Sequence, residues 1–471
     1  MADQSQQQSA NPSPTKNLES VQPSSRKRWI TFAVLSALAV IALALLVYQN
    51  TGGTRSVFSP KQDKFILPEP GTWRFIVSGD SRNCGDVVVP TIAAHSLSRY
   101  QPAFYWHLGD LRAIYKIDED MAAEAQKKGE YLSCKSYLPD AWPDFIKHQI
   151  APFGATRFYL GIGNHEVIPP KTSAEFSSTF EDWLATPRRQ MAFADKTHKA
   201  ESDRIAASKS EACQRLTTQP LAKNQYISSL PYYHWIQGGV DFIYLDNSSG
   251  SFYYKEDKSQ VDWVDCILDL AENDTTITTV VVGMHEVLPY SRANDHSMCD
   301  HPDNPPEKEK SGCDSGKHVY GKLLELQKKK KIYVLASHSH FYLEDIFLDP
   351  QNPTAPHLPG WIVGTAGAVR YSLPDSIKPS PSALEDIYGY LLATVKQNGE
   401  INFDFKEIKE SDIPSEVRQR YPAAFTNWCF AHNSQHIDPV VQETTNRCSP
   451  VLPAAEQTSA EKPLPKTKSK K

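Results

Sequence analysis

Five apolar segments of this chain each end in a small residue followed by a side chain that can bind a metal ion or move a proton. The endings are Gly79-Asp80, Gly109-Asp110, Gly163-Asn164-His165-Glu166, Gly283-Met284-His285 and Ser337-His338-Ser339-His340. In open α/β sheets, binding sites form outside the carboxyl ends of the strands. A single strand-end Asp is usually a turn former or a helix cap. Because the pattern repeats at five strand ends, it favours one shared site.

Strand-like and helix-like segments alternate between these endings. "TWRFIVSGD", "PAFYWHLGD" and "RFYLGIGNHE" have strand composition, whereas "DVVVPTIAAHSLSRY" and "SQVDWVDCILDLAEN" have helical spacing. This alternation predicts an α/β core whose parallel strands are covered on both faces. Two hairpins are also predicted, with turns at Gly238-Gly239 and Asn398-Gly399.

The N-terminal part of the chain predicts a membrane anchor. Residues 1–28 are rich in polar residues and proline and are expected to form a disordered cytoplasmic tail. Residues 29–48 carry no charge and match the roughly 20 residues that span a bilayer. Since Arg26, Lys27 and Arg28 precede this segment, the remaining chain is expected to be periplasmic, extracellular or lumenal. A cleaved signal peptide is the alternative, and it also exports the main domain.

The rest of the chain is expected to form one main domain with flanking segments. A linker at 49–70 precedes the domain at 71–410, and an irregular extension with a disordered tail follows at 411–471. Residues 175–221 are polar and rich in Lys and Ala, and they predict a helical insertion that could form a lid. The net charge of -5, without a basic stripe, implies no nucleic-acid partner.

The cysteines fit an oxidising compartment, since their number is even. None of them forms a C-x-x-C pair, so the sequence offers little support for a zinc ribbon. Cys299/Cys313 and Cys429/Cys448 each flank a short polar segment that a disulfide could close. The connectivity stays open at this point, and eight buried, free thiols are the alternative.

The carboxylates, amide oxygen and imidazoles at the strand ends suit two divalent or trivalent first-row metal ions. In their order, "GDSR", "GDLR", "GNHE", "GMHE" and "SHSH" resemble the motifs of the calcineurin-like metallophosphoesterases, which include the purple acid phosphatases. The resemblance covers about residues 72–408. It implies an α/β fold, a four-layer αββα sandwich with two mixed sheets, which the transmembrane helix precedes. It also implies two Fe, Mn or Zn ions between those sheets.

The resemblance implies a set of metal ligands that share one bridging carboxylate. Such a centre would hold a hydroxide near neutral pH and clamp the phosphoryl oxygens for in-line attack. The set consists of the bridging Asp110, the first-ion ligands Asp80 and His340, and the second-ion ligands Asn164, His285 and His338.

The resemblance also implies catalytic and substrate-binding roles. His165 would protonate the leaving oxygen or stabilise the transition-state charge, with Glu166 orienting it, and Asp110 would be the second catalytic residue. The residues implied to contact the substrate are Arg82, Arg112 and Asn164.

Two positions depart from the superfamily's pattern. Arg82 stands where many members have a histidine ligand, and Ala113 stands where purple acid phosphatases have a tyrosine ligand. Water, Tyr115 or Asn83 could complete the first site, and a mononuclear enzyme stays open. For Arg82 and Arg112, a salt bridge to nearby carboxylates is the alternative to a phosphate contact.

Together these features predict an exported, membrane-anchored phosphoesterase that acts on a phosphorylated small molecule. One alternative is a protein of the same fold that is catalytically weak or inactive and serves in binding. The other is a phosphodiesterase that acts on nucleotides or lipid headgroups.

Overall fold

The computed structural model of the protein describes residues 66, 69–185, 201–218, 230–249, 259–293, 297–299, 301–307, 310–433 and 448–449. The predicted cytoplasmic tail, the predicted anchor at 29–48 and nearly all of the linker lie outside these residues. Within the described ranges, no helix is both long and apolar enough to cross a membrane.

Twelve strands are present in the described part of the chain, and they belong to two sheets. In chain order they are β1 (Trp73–Ser78), β2 (Phe104–His107), β3 (Arg157–Leu160), β4 (Tyr233–Gln237), β5 (Val240–Leu245), β6 (Thr279–Met284), β7 (Lys331–Ala336), β8 (Tyr342–Glu344), β9 (Gly360–Val363), β10 (Ala383–Leu384), β11 (Gly389–Val395) and β12 (Ile401–Glu407).

The α-helices of the described ranges alternate with the strands in the first two thirds of the fold. They are α1 (Gly85–Arg99), α2 (Glu119–Lys127), α3 (Cys134–Phe145), α4 (Ser173–Thr179), α5 (Glu201–Ala207), α6 (Glu211–Thr218), α7 (Ser259–Asn273), α8 (Lys310–Leu326), α9 (Ser415–Arg420) and α10 (Ala423–Asn427). The segments Ile146–Ile150 and Trp428–His432 continue α3 and α10 as π-helical turns.

Both sheets are mixed, and each has a parallel centre. The first sheet has the order β12-β11-β1-β2-β3, in which β1, β2 and β3 are parallel and β11 and β12 are antiparallel. The second has the order β10-β8-β9-β7-β6-β5-β4, in which β5, β6, β7 and β9 are parallel. The carboxyl ends of parallel strands therefore collect at one edge of each sheet. The predicted α/β fold with two mixed sheets is confirmed.

Aromatic side chains join the facing surfaces of the two sheets. Phe75 stacks on Phe104 at 4.9 Å within the first sheet, and Phe242 of the second sheet meets both rings edge-on at 5.2 Å. Trp106 meets Trp235 in the same way at 5.1 Å. Edge-to-face and offset-stacked pairs are the favoured aromatic arrangements, so this layer stabilises the sheet pair beyond its burial alone.

The other surface of the second sheet is covered by helices. Ile243 and Leu245 alternate with Phe242 along β5, and they form a second core with Ile267 of α7 and Leu323 of α8. The strands are thus buried on both faces, which is why they read as near-continuous apolar runs. On the first sheet, α1 packs against β11.

Residues 411–433 contain α9 and α10, although the sequence predicts an irregular segment there. Val417 and Phe425 from these short helices, and Tyr421 between them, are buried in the main hydrophobic core. Each helix is too brief to give a clear periodic pattern, and burial of these side chains stabilises it instead.

All eight cysteines form disulfides in the structure. The predicted bridge between Cys299 and Cys313 is present, whereas the one considered between Cys429 and Cys448 is wrong. Those two cysteines bond to residues far away in the sequence, because the C-terminal segment returns to the start of α1 and α3. The observed pairs are Cys84–Cys429, Cys134–Cys448, Cys213–Cys266 and Cys299–Cys313. Four disulfides are typical of an oxidising, exported or lumenal environment.

The described part of the predicted insertion at 175–221 is mainly helical. It contains α5, α6 and a short helical turn at Glu181–Trp183. The disulfide between Cys213 of α6 and Cys266 of α7 attaches this segment to the helical layer of the second sheet.

Candidate metal centre

The carboxyl ends of the two parallel strand sets meet at the carbonyl oxygen of Leu108, which follows β2. This oxygen accepts hydrogen bonds from Nδ1 of His285 at 3.1 Å and from Oγ of Ser337 at 3.0 Å. His285 and Ser337 follow β6 and β7 of the second sheet. Side chains from both sheets are therefore brought to one place, as the strand-end pattern predicts.

Three of the predicted site residues have left-handed backbone conformations. The φ angles are 62° for Asp80, 60° for Asp110 and 65° for His338. Such values are uncommon for residues other than glycine, and they concentrate at functional sites. Close backbone packing accompanies them: a Cβ at Gly109 would lie 2.6 Å from the backbone nitrogen of Gly163. The glycines of these motifs thus let the β2 and β3 loops touch.

Three of the other predicted ligands surround the Nε2 atom of His285. This atom lies 2.9 Å from Oδ1 of Asn164, 3.3 Å from Oδ1 of Asp110 and 3.0 Å from Nδ1 of His338. Since Nδ1 of His285 donates to the Leu108 carbonyl, Nε2 carries the lone pair that a metal ion needs. We call these four side chains, Asp110, Asn164, His285 and His338, the His285 group.

The His285 group fits a first-row metal ion. It combines a carboxylate, an amide oxygen and two imidazoles, a donor set suited to such ions. Asp110 and His285 are fully buried. Asp110, His285 and His338 also form one of two clusters in the described part of the chain with metal-ligand spacing.

Asp80, Arg82 and His340 form a second group on the other side of Asp110, and we call it the Arg82 group. Oδ1 of Asp80 lies 3.3 Å from Nε2 of His340. Nη2 of Arg82 lies 3.2 Å from the same Nε2 atom, and its Nε lies 3.7 Å from Oδ2 of Asp110. Oδ1 of Asp80 and Oδ2 of Asp110 are buried and accept no hydrogen bond from the described residues. A cation satisfies such oxygens, and the Arg82 guanidinium is beside Oδ2 of Asp110.

The ring of His340 is positioned by a loop that follows β9. Its Nδ1 donates to the carbonyl of Val369 at 2.6 Å, and the ring packs on Tyr371 at 4.0 Å. Sequence reasoning missed this loop, because "AVRY" carries no motif and lies far from the other site residues in the sequence.

His165 lies against Asp110 on the side of Oδ2. Its Nδ1 donates to the carbonyl of Ala113 at 2.7 Å, and its Nε2 lies 3.5 Å from Oδ2 of Asp110. The Nδ1 bond leaves Nε2 directed toward the centre. The ring is 1% exposed, so it can act only on a group that enters the site.

Glu166 contacts backbone amides rather than the His165 ring that it was expected to orient. Its carboxylate accepts hydrogen bonds from the N–H groups of Asp110 at 2.9 Å, Leu111 at 2.9 Å and Gly163 at 2.7 Å. Burial and the charge of Asp110 raise the pKa of Glu166 to about 7, although the amide bonds lower it.

Arg112 is fully buried and bound by three carboxylates. It donates to Asp120 at 3.0 Å, to Asp86 at 2.6 Å and to Asp144. These bonds are the salt-bridge alternative considered for Arg112, and the side chain has no exposed surface with which to contact a substrate. His148 lies 3.0 Å from Asp144 in the same cluster, which also has metal-ligand spacing. Arg112 supplies one positive charge that these three carboxylates share.

Asn83 and Tyr115, considered above as replacements for the missing first-site ligand, have different surroundings in the structure. The side-chain amide of Asn83 donates to Glu119 at 2.6 Å and accepts from the backbone N–H of Val369 at 3.3 Å, so it is engaged away from the Asp80 carboxylate. Tyr115 is 5% exposed, and its ring lies 5.6 Å from that of His165.

Electrostatic interactions within the centre favour the charged carboxylate of Asp80. Burial would raise the pKa of Asp80, but the neighbouring His340, at 3.3 Å, and the charges of His285 and His338 hold it well below its usual range. Burial would likewise lower the pKa of His285, but Asp110 and Asp80 raise it. His107 lies outside the His285 group, and burial lowers its pKa to about 3, as expected for a packed neutral histidine.

No protein-family model matches the chain, and neither does any curated protein. Three solved structures show low similarity to it. The first is a purple acid phosphatase, PPD1, from yellow lupin (Lupinus luteus) seeds, with 15% identity and a TM-score of 0.41 over 71% of this chain and 51% of that one. The second is GAP50, the anchor in the inner membrane complex of Plasmodium, with 12% identity and a TM-score of 0.38 over 71% of this chain and 84% of that one.

The third is the NAD nucleotidase NadN of Haemophilus influenzae, with 11% identity and a TM-score of 0.30 over 71% of this chain and 49% of that one. This chain therefore spans about half the length of the first and third structures. At these TM-scores the similarities assign no activity to it. All three are members of the calcineurin-like metallophosphoesterase superfamily, which the ordered site motifs of this chain resemble.

Proposed function

We infer that this chain hydrolyses phosphoric esters with a metal ion held by the His285 group. The observation that carries this function is the convergence of three different donor types on Nε2 of His285, within 3.3 Å. Asp110 and His285 are fully buried, and a fold that needed only packing would have no use for such polar side chains, because they are costly to bury without a partner. When bound, the metal ion supplies a Lewis acid that polarises a phosphoryl oxygen and makes water more acidic.

The residues around this ion would then orient the substrate and move a proton. In the proposal, Asn164 and Arg82 contact the phosphoryl oxygens, and Asp110 bridges toward the Arg82 group. His165, when it is protonated on both ring nitrogens, donates a proton from Nε2 to the leaving oxygen and keeps its Nδ1–H bond to the Ala113 carbonyl. A positioned acid of this type contributes about 10²–10⁴-fold to the rate.

The resemblance implies a second ion next to Asp80 and His340. Asp110 offers Oδ2 on that side, and Asp80 offers the buried oxygen Oδ1. The Arg82 guanidinium is beside this side of the centre, with Nε 3.7 Å from Oδ2 of Asp110 and Nη2 3.2 Å from Nε2 of His340. The identity of the bound metal, Fe, Mn or Zn, is open because the donor set suits each of them.

The proposal extends to location and substrate. We propose that 29–48 anchor the chain in a membrane and that the main domain at 71–410 is exported. The charges at Arg26, Lys27 and Arg28 and the four disulfides support this orientation. The substrate would be a phosphorylated small molecule, and the helical segment at 175–221 would act as a lid over it.

A non-catalytic binding protein is the second candidate function. One observation favours it, since Arg82 and Ala113 stand where superfamily members have metal ligands. The presence of the His285 group and of His165 argues against it, because a non-catalytic protein with the same two sheets would not require these side chains.

The test is hydrolysis by the full-length chain, purified in mild detergent. It would be assayed on a phosphomonoester, a phosphodiester and nucleotide substrates, with and without a chelator. We expect hydrolysis of at least one class that is lost with the chelator and restored by Mn²⁺, Zn²⁺ or Fe²⁺. Asp110→Asn keeps the shape of the side chain and should abolish the activity. No chelator-sensitive hydrolysis of any class would support the binding protein instead, and hydrolysis of diesters alone would support the phosphodiesterase.

A further inference from the structure

The Arg82 guanidinium lies where the superfamily's pattern calls for a metal ion. It is adjacent both to Nε2 of His340, at 3.2 Å, and to Oδ2 of Asp110, at 3.7 Å. In the described part of the chain, metal-ligand spacing is found for Asp110, His285 and His338. It is not found there for the donors implied for the first ion, Asp80, Asp110 and His340. The centre is therefore asymmetric.

The backbone around Arg82 holds the side chain in this position. The backbone N–H of Asp80 donates to the carbonyl of Gly109 at 2.9 Å, and that of Ser81 donates to the backbone carbonyl of Asp110 at 2.9 Å. Two residues after Arg82, the start of α1 is fixed by the disulfide between Cys84 and Cys429. Because the loop is fixed on both sides, and the arginine is only 4% exposed, the guanidinium has little room to swing out of the centre.

His340 is oriented to accept a hydrogen bond from Arg82. Its Nδ1 donates to the Val369 carbonyl, so the lone pair of the ring is on Nε2, which faces Nη2 of Arg82. A guanidinium stays protonated in proteins and has no lone pair with which to ligate a metal. Its positive charge would also repel a divalent cation between Asp80 and His340.

We propose that Arg82 replaces the first metal ion, so that the centre holds one metal ion, in the His285 group, beside a fixed guanidinium. The proposal rests on the metal site inferred for the His285 group. Arg82 supplies one positive charge beside the Asp110 carboxylate, where a metal ion would supply two or three, and its N–H donors match the oxygens of a phosphoryl group. It cannot activate water, so that task falls to the His285 group alone.

The experiment counts Mn²⁺ ions bound to the full-length chain by equilibrium dialysis, with electron paramagnetic resonance to detect a spin-coupled pair. We expect one ion per wild-type chain and an uncoupled signal. Arg82→His, which introduces the ligand that many superfamily members carry, should bind a second ion and give a coupled signal. Arg82→Lys, the matched control, keeps the positive charge and should bind one ion.

Two ions per wild-type chain with a coupled signal would overturn the replacement, even if Arg82→His fails to fold. No bound Mn²⁺, together with no bound Zn²⁺ or Fe²⁺, would overturn the metal site itself and the proposed function with it. One bound ion without hydrolysis of any ester would leave the replacement standing and overturn only the proposed activity.

Discussion

The carboxylate of Glu166 accepts a hydrogen bond from the backbone N–H of Asp110 at 2.9 Å. Asp110 stands in a left-handed conformation with a φ of 60°. The bond therefore holds Asp110, a proposed metal ligand, in a strained backbone conformation. It also joins the loop after β2 to the loop after β3. The last residue of the Gly-Asn-His-Glu motif acts on the geometry of Asp110.

Glu166→Gln should reduce both stability and activity, because one carboxylate oxygen becomes an NH₂ group that faces backbone donors. An unsatisfied buried group of this kind costs about 1–3 kcal/mol, and loss of a supporting partner near a metal costs about 10–100-fold in affinity or activity. Urea midpoints and Mn²⁺ affinity would be measured. Glu175→Gln is the matched control, since that side chain is 44% exposed and should change neither. Equal effects of the two substitutions would argue against a role for the amide bonds.

Arg112→Met should destabilise the fold strongly. Removing the guanidinium leaves Asp86, Asp120 and Asp144 together without their buried counter-ion. Breaking a buried ionic network by removing one partner costs about 3–5 kcal/mol. The urea midpoint is the measurement, and the variant's midpoint should fall well below that of the wild type.

Arg215→Met is the matched control for Arg112. Arg215 pairs with Asp262 at 2.9 Å, but its side chain is 48% exposed. Solvent screens such a pair, which contributes about 0–1 kcal/mol. If Arg112→Met were as mild as Arg215→Met, the buried cluster around Arg112 would not stabilise the fold as predicted.

The pair formed by His234 and Asp241 should make stability depend on pH. Burial lowers the pKa of His234, but Asp241, at 2.8 Å, and Glu201 raise it above its ordinary value of 6.5, with Arg204 opposing them. A raised pKa in the folded state gives stability that is fully present below pH 6.5 and is lost as pH rises through the folded pKa. Urea midpoints of the wild type and His234→Gln should therefore converge as pH rises from 6 to 9, and a difference that grows with pH would contradict this.

The C-terminal disulfides should be recovered by peptide mapping without reduction. Proteolysis should release a peptide pair joined through Cys84 and Cys429, and another joined through Cys134 and Cys448. Mass spectrometry identifies each pair. A linked pair containing Cys429 and Cys448 would show that the C-terminal segment closes on itself and does not return to α1 and α3.

The sequence predicted most of the fold's centre because strands such as β1 and β5 are short apolar runs with turn signals on both sides. It also predicted which residues meet, since Asp80, Asp110 and His285 all follow parallel strands. It missed α9 and α10, whose stability comes from burial of Val417 and Phe425 rather than from local pattern.

The contacts of Arg82, Arg112 and Glu166 could not be predicted for a different reason. Each depends on partners from loops that are distant in the sequence, such as His340 for Arg82 and Asp144 for Arg112. A motif gives the type of a side chain but not the direction in which it points. The alternative roles of the two arginines could therefore be separated only by distances and burial.

The most direct test of the proposed activity compares His285→Ala with His318→Ala in the full-length chain. His285 lies at the centre of the His285 group, whereas His318 pairs with Asp265 at 2.9 Å and its side chain is 43% exposed. We predict that His285→Ala loses the bound metal ion and at least about 100-fold of the chelator-sensitive phosphoesterase activity, since even supporting residues contribute 10–100-fold. His318→Ala should retain both. Undiminished metal content and hydrolysis in His285→Ala would contradict the account.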